Sequence, residues 1–368
     1  MEHSSDPVEG GTHSDLRRYG IPAAALSLLL LTSLAPGSAS AESPGRAPLS
    51  QADLDRMTGR QKAAVLNPLR LVGSTAQQVG REQRQDVFTG VRIGPGHRTV
   101  ELFLTDPGEK DAFLAQVKRR APKADLGLVE VRAAPSSRTE LLRHINRLKG
   151  LGSRLPFEIQ GIGHSVDGTS IKVMAGDAAK ADTYFATAPA ARLANGDTPR
   201  YDVLQGQRRG SDPLLYTRQD DSSPFYAGAA LDNAGNPQSH CTSGIPAVST
   251  WDGLDATGCT RYLNGVCSNL VNDEVCQLGC NSKVVCGIRV TNVEFDHGGV
   301  ITTVGVQKDG ATAARGGDSG GPVITINHPD SRELNGIVRG GWTGYPTWVV
   351  WVDVWDIFNA FAIKLNPS

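Results

Sequence analysis

Gly316-Gly317-Asp318-Ser319-Gly320-Gly321-Pro322-Val323 is the stretch on which the reading of this chain turns. Its centre, Gly-Asp-Ser-Gly-Gly-Pro, specifies every position. The glycines let the backbone turn sharply and come close to a ligand. That freedom can aim the N–H groups of Gly317 and Ser319 at one point, where charge on a reacting carbonyl oxygen would develop. Ser319 supplies a hydroxyl at that point and is the candidate nucleophile. Asp318, if buried, must find a cation or hydrogen-bond donors. An incidental glycine-rich hairpin rarely contains all of these residues in order.

The chain has 368 residues and a net charge of -1, enough length for two domains and large cores. It has no long charge block, so no nucleic-acid or polyanion partner is expected. All six cysteines, Cys241, Cys259, Cys267, Cys276, Cys280 and Cys286, lie in one cluster after a cysteine-free stretch of 240 residues. An even, clustered set in an exported chain reads as three disulfides, with connectivity open. The spacings lack paired C-x-x-C units, so neither a zinc site nor any cofactor is expected.

Residues 1–41 read as an export signal: Arg17-Arg18, an apolar run from Ile21 to Ala35, and the small-residue site Ala39-Ser40-Ala41. Residues 42–200 alternate α and β. Val87–Ile93 with Thr99–Thr105, and Ile159–Val166 with Thr169–Ala175, read as hairpins. Asp106, Ser136 or Ser137, and Asp177 are helix-starting residues. Leu126–Val131 reads as a strand. Thr99–Phe113 echoes Thr169–Phe185, which points to an internal repeat. His97, His144 and His164 read as surface or hairpin residues. Residues 201–222 read as a linker, with Arg208-Arg209-Gly210 as a candidate processing site. From 223 to 368 the pattern is all β until a last apolar helix, Val354–Leu365.

The Ser319 run resembles the nucleophile loop of chymotrypsin-fold serine peptidases, in particular the secreted bacterial branch of streptogrisins and alpha-lytic protease. Pro224-Phe225-Tyr226-Ala227-Gly228, Cys241-Thr242-Ser243-Gly244, and the Cys276 and Cys286 surroundings extend the resemblance over residues 223–368. It implies an all-β, chymotrypsin-like double β-barrel with a C-terminal helix, preceded by an α/β pro-region at 42–200. It also implies pairing of Cys241 with Cys259 and Cys276 with Cys286; a Cys267–Cys280 bridge would be an addition to the family's set. Ala313 and Arg339-Gly340-Gly341 fall at the specificity pocket. The site residues implied are the Ser319 hydroxyl and the Gly317 and Ser319 N–H groups as oxyanion hole.

The resemblance breaks at the base and acid. Gly258 stands where the family has its histidine, and only 60 residues separate Cys259 from Ser319, so the first barrel reads as truncated. Asp273 has no family context. Arg339 replaces the serine that supports the family's aspartate. His240, in Ser239-His240-Cys241, is the substitute candidate base; His297 reads as a hairpin turn and His328 as a loop residue. Trp342, Trp348, Trp351 and Trp355 read as core and pocket wall. Two readings follow: a degenerate homologue that binds peptide, or an active endopeptidase with a non-standard base. The expected partners are a peptide or protein and the chain's own pro-region, with a secreted, monomeric protein free of the membrane after signal removal.

Overall fold

A computed structural model describes residues 47–194, 196–206, 230–233, 236–242, 252–254, 260–328, 331–342 and 344–362. The signal-like residues 1–41, Arg208-Arg209, Gly258 and Cys259 lie outside the described residues. The described residues belong to one compact unit, Arg46–Ser368.

The first half is built twice over. Helices α1 (Gln51–Arg56) and α2 (Gly59–Glu82) start at capping boxes formed by Ser50 with Asp53 and Thr58 with Gln61. Leu66, Leu69, Val72, Ala76 and Val79 make the buried stripe of α2. Strands β1 (Phe88–Ile93) and β2 (Val100–Leu104) form the expected hairpin, and helix α3 (Lys110–Arg120) leads to β3 (Val129–Ala133), parallel to β2. Helix α4 (Arg138–Lys149), capped by Ser137, opens the second copy. It continues through β4 (Ile159–His164), β5 (Ser170–Ala175), α5 (Ala178–Thr187) and β6 (Arg200–Gln205), parallel to β5. Helix, hairpin, helix and parallel strand recur, which accounts for the echo between 99–113 and 169–185.

Three expectations need correction. Leu126–Leu128 is a 3-10 turn, because the Asp125 carboxylate accepts from Gly127 N; only Val129–Ala133 is strand. Residues 201–205, read as linker, complete β6, where Tyr201 stacks on Phe185 at 4.0 Å. His97, His144 and His164 are all buried. Each ring is satisfied locally: His97 by Leu49 O, His144 by Tyr201 and Arg147, and His164 by Glu294 and Ser165 O.

The second half begins with short strands. β7 (Ala230–Asn233) and β8 (Asn236–Thr242) form a separate two-stranded sheet, while β9 (Asp252–Leu254) pairs with β10 (Thr260–Val266). Among the described residues these four strands form no closed barrel. The next six do: β11 (Glu274–Gly279), β12 (Lys283–His297), β13 (Val300–Gln307), β14 (Pro322–His328), β15 (Ser331–Trp342) and β16 (Tyr345–Asp353). Their order is β11-β14-β15-β16-β13-β12, and β12 closes back on β11. Val275, Ile288, Val290, Val323, Val338, Val349 and Trp351 fill the interior. Helix α6 (Val354–Phe361) covers Cys276, Leu278, Ile324 and Leu334 on the outside. This is the barrel and terminal helix expected of a chymotrypsin-like fold. Cys276 and Cys286 form a disulfide. Cys267 and Cys280 are not joined to each other. The buried Cys267 Sγ meets Ser74 and Ser268 O, and Cys280 Sγ donates to Gly317 O, so each thiol is held at a different place.

Strand β12 joins the two halves. Its far end runs past β11 and, still paired with β13, also pairs with β4, Phe295 opposite Gly163 and His297 opposite Gly161, so the barrel sheet continues into β4, β5 and β6. The Phe295 ring occupies the space where a side chain on Gly161 would stand. Charges along this seam are sorted. Buried Asp273 takes a two-pronged contact from Arg70, at 2.7 and 2.8 Å. Buried Glu294 meets Arg81 at 3.0 Å, Arg138 at 2.7 Å and His164 at 3.1 Å. Asp296 pairs with Lys149, and Glu274 with Lys62 at 3.2 Å. In these pairs the cation comes from the first half and the carboxylate from the second.

Breaking such a pair leaves an uncompensated buried charge, at about 3–5 kcal/mol. Glu294→Gln should therefore destabilise the protein by about that amount at neutral pH. Burial alone would raise the Glu294 pKa, but the Arg81 charge, the His164 hydrogen bond and Arg138 outweigh it and hold the carboxyl well below its ordinary range. A depressed pKa contributes stability that is complete above the unfolded value of about 4.3 and lost as the pH falls through the folded value. Urea melts of both proteins at stepped pH should show a wide gap at neutrality that narrows below that value. A gap that stays constant into acid would contradict this assignment.

Candidate functional site

The Ser319 loop connects β13 to β14 and is held from beneath by the turn between β11 and β12. Asp318 is fully buried. Its carboxylate accepts from the backbone N–H groups of Asn281 and Ser282 at 2.9 Å and of Arg315 at 2.7 Å. The donors that a buried aspartate requires are thus backbone amides. Asn281 Nδ2 donates to Gly316 O at 2.6 Å and Cys280 Sγ to Gly317 O at 3.2 Å. Gly317 sits at φ 90°, and a side chain there would come within 2.5 Å of Asn281 Nδ2. Both the conformation and the close approach require glycine. Gly320 N donates to Val338 O and Val338 N to Gly321 O, each at 2.8 Å, tying the loop to β15.

Ser319 is half-buried, and its hydroxyl donates to the carbonyl of Arg339 at 3.0 Å. Arg339 lies toward the C-terminal end of β15. Its Nη1 donates to His297 Nδ1 at 2.9 Å and also to His297 O. The His297 ring packs edge-on against Trp342, with centroids 5.0 Å apart, and Trp342 packs against Trp348 and Phe295. Burial lowers the His297 pKa, and the Arg339 charge lowers it further; neighbouring Asp296 opposes them. The Asp296 carboxylate is itself engaged by Lys149 and by Gly299 N.

Ser319, Arg339 and His297 therefore form a chain of contacts, but not one that activates a serine. A nucleophilic serine needs a base within hydrogen-bond reach, oriented by a third group. Among the side chains described, which do not include that of His240, no histidine is bonded to Ser319; its hydroxyl donates to a carbonyl. His297, which the sequence reads as a turn residue, is at the end of β12, and its Nδ1 is taken by Arg339. His240 lies in β8, opposite Asp232 in the β7–β8 register. Asp273 is committed to Arg70. His328 ends β14 and is exposed. Ala313 is buried with the barrel core and donates from N to Pro346 O at 2.7 Å. Gly340 opens on space: a Cβ there would meet nothing within 4 Å. Sequence reasoning missed Cys280 and Asn281 as supports of the loop. It also missed the tie from Arg339 to His297, which depends on register between strands far apart in the chain.

No family model matches the chain, and no curated protein does. Several solved structures resemble it over about two fifths of its length. Thermobifida fusca Protease A is 14% identical, with 39% of this chain and 98% of that chain covered and a TM-score of 0.31. Cellulomonas bogoriensis chymotrypsin is 16% identical, with 40% and 78% covered and a TM-score of 0.27. Nocardiopsis protease is 14% identical, with 38% and 79% covered and a TM-score of 0.26. By their names, two of these are proteases and one is a chymotrypsin.

The position of Arg339 leads to a direct expectation. Removing its charge in Arg339→Ser should raise the His297 pKa above the wild-type value. Proton NMR titration of the ring resonances measures this, and an unchanged midpoint would contradict the contact.

Proposed function

We propose that this chain is a secreted serine-peptidase homologue of chymotrypsin-like fold that retains Ser319 and its loop but holds peptides rather than cutting them. The observation that carries this reading is the Ser319 hydroxyl donating to Arg339 O, with no base bonded to it among the described side chains. Loss of a triad base typically lowers turnover by about 10⁶, leaving only the roughly 10³–10⁴ that an oxyanion hole and binding supply over water. Residues 1–41 serve export in this reading, and residues 42–200 derive from a pro-region that the barrel uses as its packing partner. The seam of buried ion pairs supports that partnership.

A second reading has one observation in its favour. The β7–β8 register sets Asp232 directly opposite His240, and directly opposed residues on a sheet are close neighbours. A histidine and a carboxylate are the residue types that a base and its orienting group require. In that case the chain is an endopeptidase working through an acyl-enzyme.

One experiment separates the two. A fluorophosphonate probe labels an activated serine without knowledge of the substrate. Folded wild-type protein should remain unlabelled, like Ser319→Ala. Labelling of the wild type that disappears in Ser319→Ala, in His240→Ala and in Asp232→Asn would overturn the binding reading and establish the second.

A further inference from the structure

We propose that the surface of β15 beside Ser319 recognises a peptide carboxylate, with the Arg339 guanidinium as its receptor. This rests on the peptide-binding reading and names the chemistry that the bound peptide must carry.

The argument starts from charge. The seam cations Arg70, Arg81, Arg138, Lys149 and Lys62 each face a carboxylate. Arg339 departs from that pattern. It is half-buried, and only its Nη1 is used, on two neutral acceptors of His297. Among the described residues, Nε and Nη2 have no hydrogen-bond partner, and no carboxylate lies within ion-pair distance of the guanidinium. The acids nearby are taken: Asp296 by Lys149 and Gly299 N, Glu294 by Arg81, Arg138 and His164, and Asp318 by three backbone amides. A partly desolvated guanidinium with two idle donor groups is the geometry that favours a carboxylate, which can take both.

The surroundings fit a peptide rather than a small ion alone. The carbonyl of the same Arg339 accepts from Ser319, so the residue that carries the cation also holds the candidate nucleophile. The next residue, Gly340, leaves open space over β15 where a ligand backbone can lie. His297, Trp342 and Trp348 form a continuous aromatic cluster beside it. Low local polarity strengthens a charge-assisted hydrogen bond.

The carboxylate can belong to an acidic side chain or to a chain end. Four acetylated alanine-based peptides distinguish these sources: one with a free C-terminal carboxylate, and three C-terminal amides carrying Glu, Gln or Ala at one position. Binding is followed by intrinsic tryptophan fluorescence and calorimetry. At least one carboxylate peptide should bind about tenfold or more tightly than the neutral amides. The advantage should vanish in Arg339→Gln and survive in part in Arg339→Lys, with thermal melts confirming that both variants fold. If Arg339→Gln does not fold, loss of the advantage in 0.5 M salt, absent for any difference between the two neutral amides, is the substitute readout. Neutral amides binding as tightly as the carboxylate peptides would overturn this inference and leave the peptide-binding reading standing. No binding of any peptide would overturn both.

Discussion

Buried carboxylates of the barrel side demand cations, and the first half of the chain supplies them. Asp273 and Glu294 are almost inaccessible, and a carboxylate in such a place is tolerated only when paired and hydrogen-bonded. Arg70 reaches Asp273 from α2, while Arg81, Arg138 and His164 converge on Glu294 from α2, α4 and β4. Apolar contacts follow the same seam: Leu270 belongs to the core built by α2 and the first hairpin, and Met174 of β5 packs with Phe295 and Val350 of the barrel. The sheet itself crosses the boundary where β12 meets β4.

That arrangement also shapes the candidate site. β12 is extended so that it reaches β4, and its end carries His297 to Arg339. Arg339 in turn presents its carbonyl to Ser319. The contacts of the serine are thus one strand removed from the seam. The loop itself is fixed by a buried aspartate satisfied by amides and a glycine held at positive φ. What the hydroxyl meets is the carbonyl of Arg339, whose side chain turns to His297.

Much of this was legible in the sequence where the signal is local. The Ser319 loop was read from consecutive residues, the barrel strands from apolar runs between glycine turns, and α3, α4 and α5 from their capping residues. Helix α2 was hidden by Pro68, Gly73 and Gly80, which ordinarily argue against a helix. The reason for Gly73 lies elsewhere in the chain: a side chain there would approach Leu270 Cδ1 to 2.7 Å. The buried histidines were illegible for the same cause, since Glu294 stands 130 positions after His164. Replacement of the family serine by Arg339 was visible, but its reach to His297 was not, because strand register decides it.

The central claim is that the two halves fold as one unit. It can be tested because the probes are segregated: all five tryptophans fall between residues 251 and 355, while α1 to α5 lie within residues 51–187. Equilibrium urea unfolding should be followed at once by tryptophan fluorescence and by far-ultraviolet circular dichroism of the helices. The account predicts coincident transitions with one midpoint. Helix loss at a lower urea concentration than the fluorescence change, with the barrel still folded, would contradict it.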